Sequence, residues 1–161
     1  MPIVDELHFK ESALKHVEKA KQYEKEKDYL SAAYEWGYAA DEGFYLAHRY
    51  IASYYSCDYF EVEQYPGDAK YRRAIEIFEI LLDYDIREFD YLRIMASIGY
   101  AYKKLGNMNL ALEYYKRAGS EGLYQLYLYY FGKRDYNTAN KYYEQYASIS
   151  HVDPGHIYFD L

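Results

Sequence analysis

The sequence predicts an all-α protein built from repeated helix–turn–helix units. Three observations predict it. First, one spacing of small and aromatic residues recurs. In its clearest copy Gly99, Tyr102, Gly106, Ala111, Tyr115 and Ala118 follow one another at intervals of 3, 4, 5, 4 and 3. Second, proline occurs only as Pro2, Pro66 and Pro154, so residues 67–153 can form helix without interruption. Third, no stretch alternates apolar and β-branched residues with polar ones, so no sheet is expected.

The units follow in order. Unit one covers about residues 13–46. Its Ala20, Tyr23, Ala32, Trp36 and Ala39 match Gly99, Tyr102, Ala111, Tyr115 and Ala118 at a constant offset of 79 residues. Small residues at such sites let helix backbones approach, and large rings fill the groove beside them. Lys27-Asp28-Tyr29 is the expected turn. Unit two covers about 40–84, with Ala47 and Tyr50 on its first helix and Ala74, Phe78 and Leu81 on its second. Here 27 residues separate Ala47 from Ala74, where 12 separate Ala20 from Ala32. The excess falls at about 53–68 and includes Tyr54, Tyr55, Cys57, Tyr59, Phe60, Tyr65, Pro66 and Gly67. Part of it should extend the first helix. The rest reads as a long aromatic, acidic loop, either functional or folded back over its own repeat.

Unit three covers about 92–125, with its turn at Leu105-Gly106-Asn107, residues that tolerate left-handed backbone. Unit four covers about 120–148. It keeps the spacing with Tyr127, Tyr130, Ala139, Tyr143 and Tyr146 and turns at Lys133-Arg134-Asp135. Residues 1–148 thus read as a single repeat domain. Residues 149–161 match no unit and read as a tail. Such units cannot bury their apolar faces alone and must stack on neighbours, which makes a binding surface rather than a reaction pocket.

The spacing over residues 13–148 resembles the tetratricopeptide repeat, a unit of about 34 residues. Ala39-Ala40-Asp41-Glu42-Gly43 and Ala118-Gly119-Ser120-Glu121-Gly122 also resemble the step between Sel1-like repeats. Both families imply antiparallel helix pairs stacked into a right-handed α-solenoid, here of about four pairs. The resemblance also implies a concave groove lined by the first helix of each pair. On this sequence its positions are Val17, Lys21 and Glu24 in unit one and Phe44, Tyr45, His48 and Ile51 in unit two. Unit three supplies Arg93, Ala96, Tyr100, Lys103 and Lys104, and unit four supplies Tyr124, Leu128 and Phe131. That mixture suits a peptide held by aromatic anchors, with Lys or Arg meeting a carboxylate. Some family members grip a C-terminal carboxylate with Lys and Asn. Val17 and Lys21 stand at the corresponding unit-one positions, so that mode is not expected.

Composition narrows the function. Net charge is −7, so a basic nucleic-acid footprint is missing. Residues 1–68 hold 14 acidic and 7 basic side chains, while 69–161 hold 12 of each. The single Cys57 cannot build a disulfide framework within one chain, which fits a reducing cytoplasm. The first residues lack the basic and apolar regions of a signal peptide, and no run of 18 apolar residues exists to cross a membrane. Tyrosine, at 26 of 161 residues, is the outlier. It packs with its ring and keeps a hydroxyl for water or a partner, so a surplus suits surfaces meant to be covered.

Catalytic patterns are missing. There is no Gly-rich phosphate loop, His-Glu-x-x-His or Gly-x-Ser-x-Gly. Ser150, His151 and Asp153 stand too close in sequence to place a nucleophile, base and orienter around a substrate. His151, Asp153 and His156 make a weak metal set, and none is expected. Glu24 with Lys27 and Glu113 with Arg117 read as surface ion pairs, and Cys57, followed by Asp58, has no neighbour to lower its thiol pKa. The sequence therefore points to a non-enzymatic, cofactor-free module that binds a peptide or protein. The alternatives are a neutralising partner (a secretion chaperone or toxin-immunity protein), whose acidic half would meet a basic partner, and self-association as a homodimer, for which the tyrosine-rich fourth unit at an open solenoid end is the candidate face. An enzyme subunit is the remaining reading.

Overall fold

The computed structural model describes residues 11–57, 63–84 and 86–150. Eight helices follow one another: α1 (Glu11–Lys25), α2 (Tyr29–Asp41), α3 (Ala47–Tyr55), α4 (Ala69–Leu82), α5 (Glu88–Lys104), α6 (Met108–Tyr115), α7 (Gly119–Gly132) and α8 (Tyr136–Ser150). No strand is found among the described residues. The chain divides into two compact units, Met1–Arg87 and Glu88–Leu161, a boundary between the second and third copies of the spacing. In the first, α1 packs on α2, α2 on α3 and α3 on α4. In the second, α5 packs on α6, α6 on α7 and α7 on α8.

One turn explains three of the reversals. At the end of α1 the Asp28 amide donates to the Tyr23 carbonyl at 2.9 Å and the Lys27 amide to that of Glu24 at 3.0 Å. The same pair of bonds recurs at Asn107 and Gly106 (2.9 and 3.0 Å) and at Asp135 and Arg134 (both 3.0 Å). These bonds close the helix end, and they require a left-handed residue just past it. Gly106 takes that conformation at φ 79°, but Lys27 and Arg134 take it too, at 61° and 60°. The next residue caps the following helix. Asp28 accepts from the Ser31 amide at 3.1 Å, Asn107 from Leu110 at 3.2 Å and Asp135 from Thr138 at 3.2 Å. The Ser31 hydroxyl and amide hold the Asp28 carboxyl below its usual range, and Thr138 does the same for Asp135.

The core of the first unit forms where α1 and α2 meet. Ala13, Val17 and Ala20 on α1 and Ala32, Trp36 and Ala39 on α2 recur at i, i+4 and i+7, and all are buried. Trp36 is fully buried beneath the α3 residue Tyr50. Its indole N–H donates at 2.8 Å to a Glu24 carboxylate oxygen that also accepts from the Tyr54 hydroxyl at 2.5 Å. Glu24 is therefore tied into the core, not held as the surface partner of Lys27. The other expected pair is altered as well: Glu113 bonds Lys116 at 3.2 Å, and Arg117 lies 4.5 Å above the Tyr114 ring.

Of the excess residues in the second copy, Tyr54 and Tyr55 lengthen α3. The buried Lys70 donates from Nζ to the Cys57 carbonyl at 2.9 Å, holding the helix end, and Tyr65 packs on Tyr55 at 5.7 Å. Tyr59 and Phe60 lie outside the described residues, as do His151, Asp153 and His156.

In the second unit α5 buries Ile94, Met95, Ala96, Ile98, Gly99 and Ala101. A Cβ at Gly99 would sit 2.7 Å from the Tyr115 ring, so the glycine makes room for that ring between α5 and α6. The close approach continues at α7, where a Cβ on Gly122 would run into the Tyr115 carbonyl. Tyr115 is buried with its hydroxyl lacking a hydrogen-bond partner among the described residues, and burial raises its pKa.

Candidate functional site: an aromatic face on the last helix pair

Two lines of residues on α7 have opposite fates. Gly122 and Leu126, one helical turn apart, face inward, and Leu126 is fully buried beside Ala111 and Tyr115. Tyr124, Leu128 and Phe131 face outward, with Tyr127 half-buried beside them. On α8 Ala139 is fully buried, Tyr142 packs against the same inner cluster, and Tyr136 and Tyr143 are exposed.

The outward rings meet in three rungs across the two helices. Tyr124 meets Tyr146 at 5.3 Å, Tyr127 meets Tyr143 at 5.3 Å, and Phe131 meets Tyr136 at 5.4 Å. The order of the rungs makes α7 and α8 antiparallel. Tyr124–Tyr127 at 6.0 Å and Tyr127–Phe131 at 5.7 Å join the rungs along α7. Their rings are tilted 39–69° from one another, the range of favourable aromatic pairs. Even so, Phe131, Tyr136 and Tyr143 remain 50, 51 and 49% exposed. Charge is sparse here. In the 14 residues of α7 and 15 of α8 only Glu121, Lys141 and Glu144 are charged.

The repeat register explains this face. Moving 28 residues on from Gly99, Tyr115 and Ala118 reaches Tyr127, Tyr143 and Tyr146. In the earlier set Tyr115 and Ala118 are covered by α7, which comes down on them at Gly122, and Gly99 is covered by the Tyr115 ring. The equivalent Ala20, Trp36 and Ala39 of the first unit are fully buried, with α3 packed on α2. In α7–α8 the small residues have become tyrosines and the face lies open. The rungs are therefore the stacking face of a helix pair with nothing stacked on it among the described residues.

The sequence-predicted groove positions take different surroundings. Val17 and Phe44 are buried in the first unit's core, with the Phe44 ring 6.4 Å from Trp36, and Ile51 packs against that core. Tyr45 is exposed and stacks on Tyr84 at 5.0 Å. His48 is half-buried, and desolvation depresses its pKa. On α5, Ala96 is buried, Arg93 lies 5.2 Å above Phe89, Lys104 lies 5.4 Å above Tyr100, and Lys103 is exposed, as is Lys21 on α1. Tyr124, Leu128 and Phe131 are brought together on the open aromatic face. Its other members, Tyr127, Tyr136, Tyr143 and Tyr146, belong to the tyrosine-rich fourth unit named as a candidate dimer face, not to the expected groove. A second exposed stripe, Leu30, Tyr34 and Tyr38 on α2, was missed despite its i, i+4, i+8 spacing.

Among the described residues no group of His, Cys, Asp and Glu is placed to hold a metal ion, and no helix is long and apolar enough to cross a membrane. No protein-family model matches the chain, and no curated protein matches it.

Proposed function

We propose that the protein is a non-catalytic protein–protein interaction module, an adaptor or scaffold that works without a cofactor. In this reading the helix pairs are tetratricopeptide- or Sel1-like units stacked in a right-handed solenoid, and the protein acts in the cytoplasm on a peptide or protein rather than on nucleic acid or membrane. The supporting observation is the open aromatic face of α7–α8. Interfaces favour aromatic residues at their centre and exclude charge from it, and this face has both properties. Phe131, Tyr136 and Tyr143 are its natural anchors.

The experiment is selection of a displayed peptide library on the full chain, repeated with the Tyr124→Glu/Phe131→Glu variant. Peptides with aromatic or aliphatic anchors should be enriched, and the variant should bind them at least about tenfold more weakly, the scale of losing one anchor. Equal binding by the variant refutes the reading, as does an empty selection on a protein that is monomeric under the selection conditions. The acid excess of residues 1–68 favours a second reading, a neutralising partner for one basic protein. Under that reading binding is tight, unaffected by the α7 substitutions, and slowed in association by salt.

A further inference from the structure

We infer that the occupant of the α7–α8 face is a second copy of the same face, giving an isologous dimer. This rests on the interaction-module reading and names its partner.

The first argument is continuity with an interface the protein already makes. In α5–α6 the positions of Tyr115 and Ala118 receive the following helix at Gly122, while Gly99 makes room for the Tyr115 ring inside the pair. In α7–α8 the same register carries Tyr127, Tyr143 and Tyr146. A helix cannot approach Tyr146 as α7 approaches Ala118, so an ordinary further repeat does not fit. A sheet of tilted rings does, because rings of one copy can enter the clefts between rings of the other at spacings already present in each.

The second argument is charge. A twofold axis sets a surface against itself, so a formal charge near the axis meets its own copy at close range. The six rung residues carry none. Of the two charges on α8, Lys141 lies about 160° around the helix from Tyr143, away from the rungs, and Glu144 stands at their edge.

The third argument is size. With roughly 200 Å² to an aromatic side chain, the exposed parts of Tyr124, Phe131, Tyr136 and Tyr143 together leave roughly 400 Å² open. That is about half of the roughly 800 Å² per partner that a standard interface buries. Exposed Asn140 and Glu144, beside the α8 rings, supply part of a polar rim.

The test is the mass of the full chain by sedimentation equilibrium over a wide concentration range. The expected result is a species of twice the 19.3 kDa chain mass that grows no further. The Phe131→Glu/Tyr143→Glu variant should run as a monomer with unchanged helical circular dichroism. Should that variant lose helicity, Tyr136→Glu, in the exposed first turn of α8, carries the same test. Tyr34→Glu, on the α2 stripe, should leave the dimer intact. A monomer at every concentration, a dimer that survives the α8 substitutions, or a mass that keeps climbing each overturns the proposal. A monomeric protein that still selects peptides through Tyr124 and Phe131 overturns the dimer alone. Failure of both experiments overturns the interaction reading with it.

Discussion

The rings of Trp36 and Tyr50 lie 3.9 Å apart at their centroids and 3° from parallel. This stack joins α2 to α3, and so joins the first copy of the spacing to the second. Trp36 is the only tryptophan, so its fluorescence reports the packing of the first unit. Tyr50→Leu keeps the apolar volume but loses the ring pairing, and should lower stability by about 1 kcal/mol. Trp36→Ala should cost about 3–5 kcal/mol, the usual range for emptying a buried aromatic site. Urea unfolding checks both, followed by fluorescence for the first variant and by circular dichroism for the second. Equal losses for the two would count against the assigned geometry.

Beside that stack, one oxygen of Glu24 accepts from both Trp36 and Tyr54. Glu24→Ala leaves an indole N–H and a phenol O–H without this acceptor in a buried site, a loss of about 2–4 kcal/mol. Glu24→Gln keeps a carbonyl oxygen there and should cost about half as much or less. The coupling between Glu24→Ala and Tyr54→Phe in a double-mutant cycle should exceed about 0.5 kcal/mol. Strict additivity would mean the bond seen here has no energetic weight.

Alkaline pH should unfold the protein through two particular tyrosines. Burial raises the pKa of Tyr54, reinforced by its bond to Glu24, and burial likewise raises that of Tyr115. Their folded-state values exceed those in the unfolded chain, near 10. The stabilisation is therefore complete below about pH 10 and is lost as pH rises above it, at about 1.4 kcal/mol per pH unit for each group. Tyr54→Phe and Tyr115→Phe should each make this decline shallower. Tyr115→Phe should also leave stability at pH 7 unchanged or higher, since it removes a hydroxyl with no partner among the described residues. Chemical denaturation between pH 8 and about pH 11 measures both effects. An unchanged slope in the variants would refute the assignment.

The repeated turn offers a gain in stability. Lys27 and Arg134 hold the left-handed conformation that Gly106 takes in the equivalent place. For a residue with a Cβ that conformation costs about 1–2 kcal/mol, part of which glycine gives back through its freer unfolded chain. Lys27→Gly and Arg134→Gly should therefore each raise stability by about 0.5–1 kcal/mol. A matching Gly106→Ala should lower it by a similar amount. Thermal melts of the three variants decide the point, and destabilisation by Lys27→Gly would show that its side chain does more than turn the chain.

Much of the fold was legible because it rests on local rules. The 3.6-residue period and the small-against-large pattern at Ala20, Ala32 and Trp36 placed α1 and α2, and Lys27-Asp28 marked their turn within a residue. Glu24 was misread because a carboxylate three residues before a lysine looks solvated. Its real partners lie 12 and 30 residues away, a distance no local pattern reports. Phe44 and Tyr45 fall between α2 and α3, where helical phase is broken, so sequence could not tell that one is buried and the other exposed. For the aromatic face, the 28-residue register was visible. The fourth unit could be marked as a candidate dimer face, but which of its tyrosines turn outward could not be read, because a tyrosine under a helix and a tyrosine in water occupy the same place in the spacing.

The substitution of rings for small residues in α7–α8 also makes the array editable. Ala118 lies where the following helix comes closest and Gly99 leaves room for the Tyr115 ring, whereas Tyr127 and Tyr146 carry rings at the equivalent positions. Returning those two positions to glycine and alanine restores an accepting surface, and a further helix pair copied from residues 119–150 could then be grafted on it. The face can thus be opened to a further helix pair through the size of two side chains, without redesigning any helix.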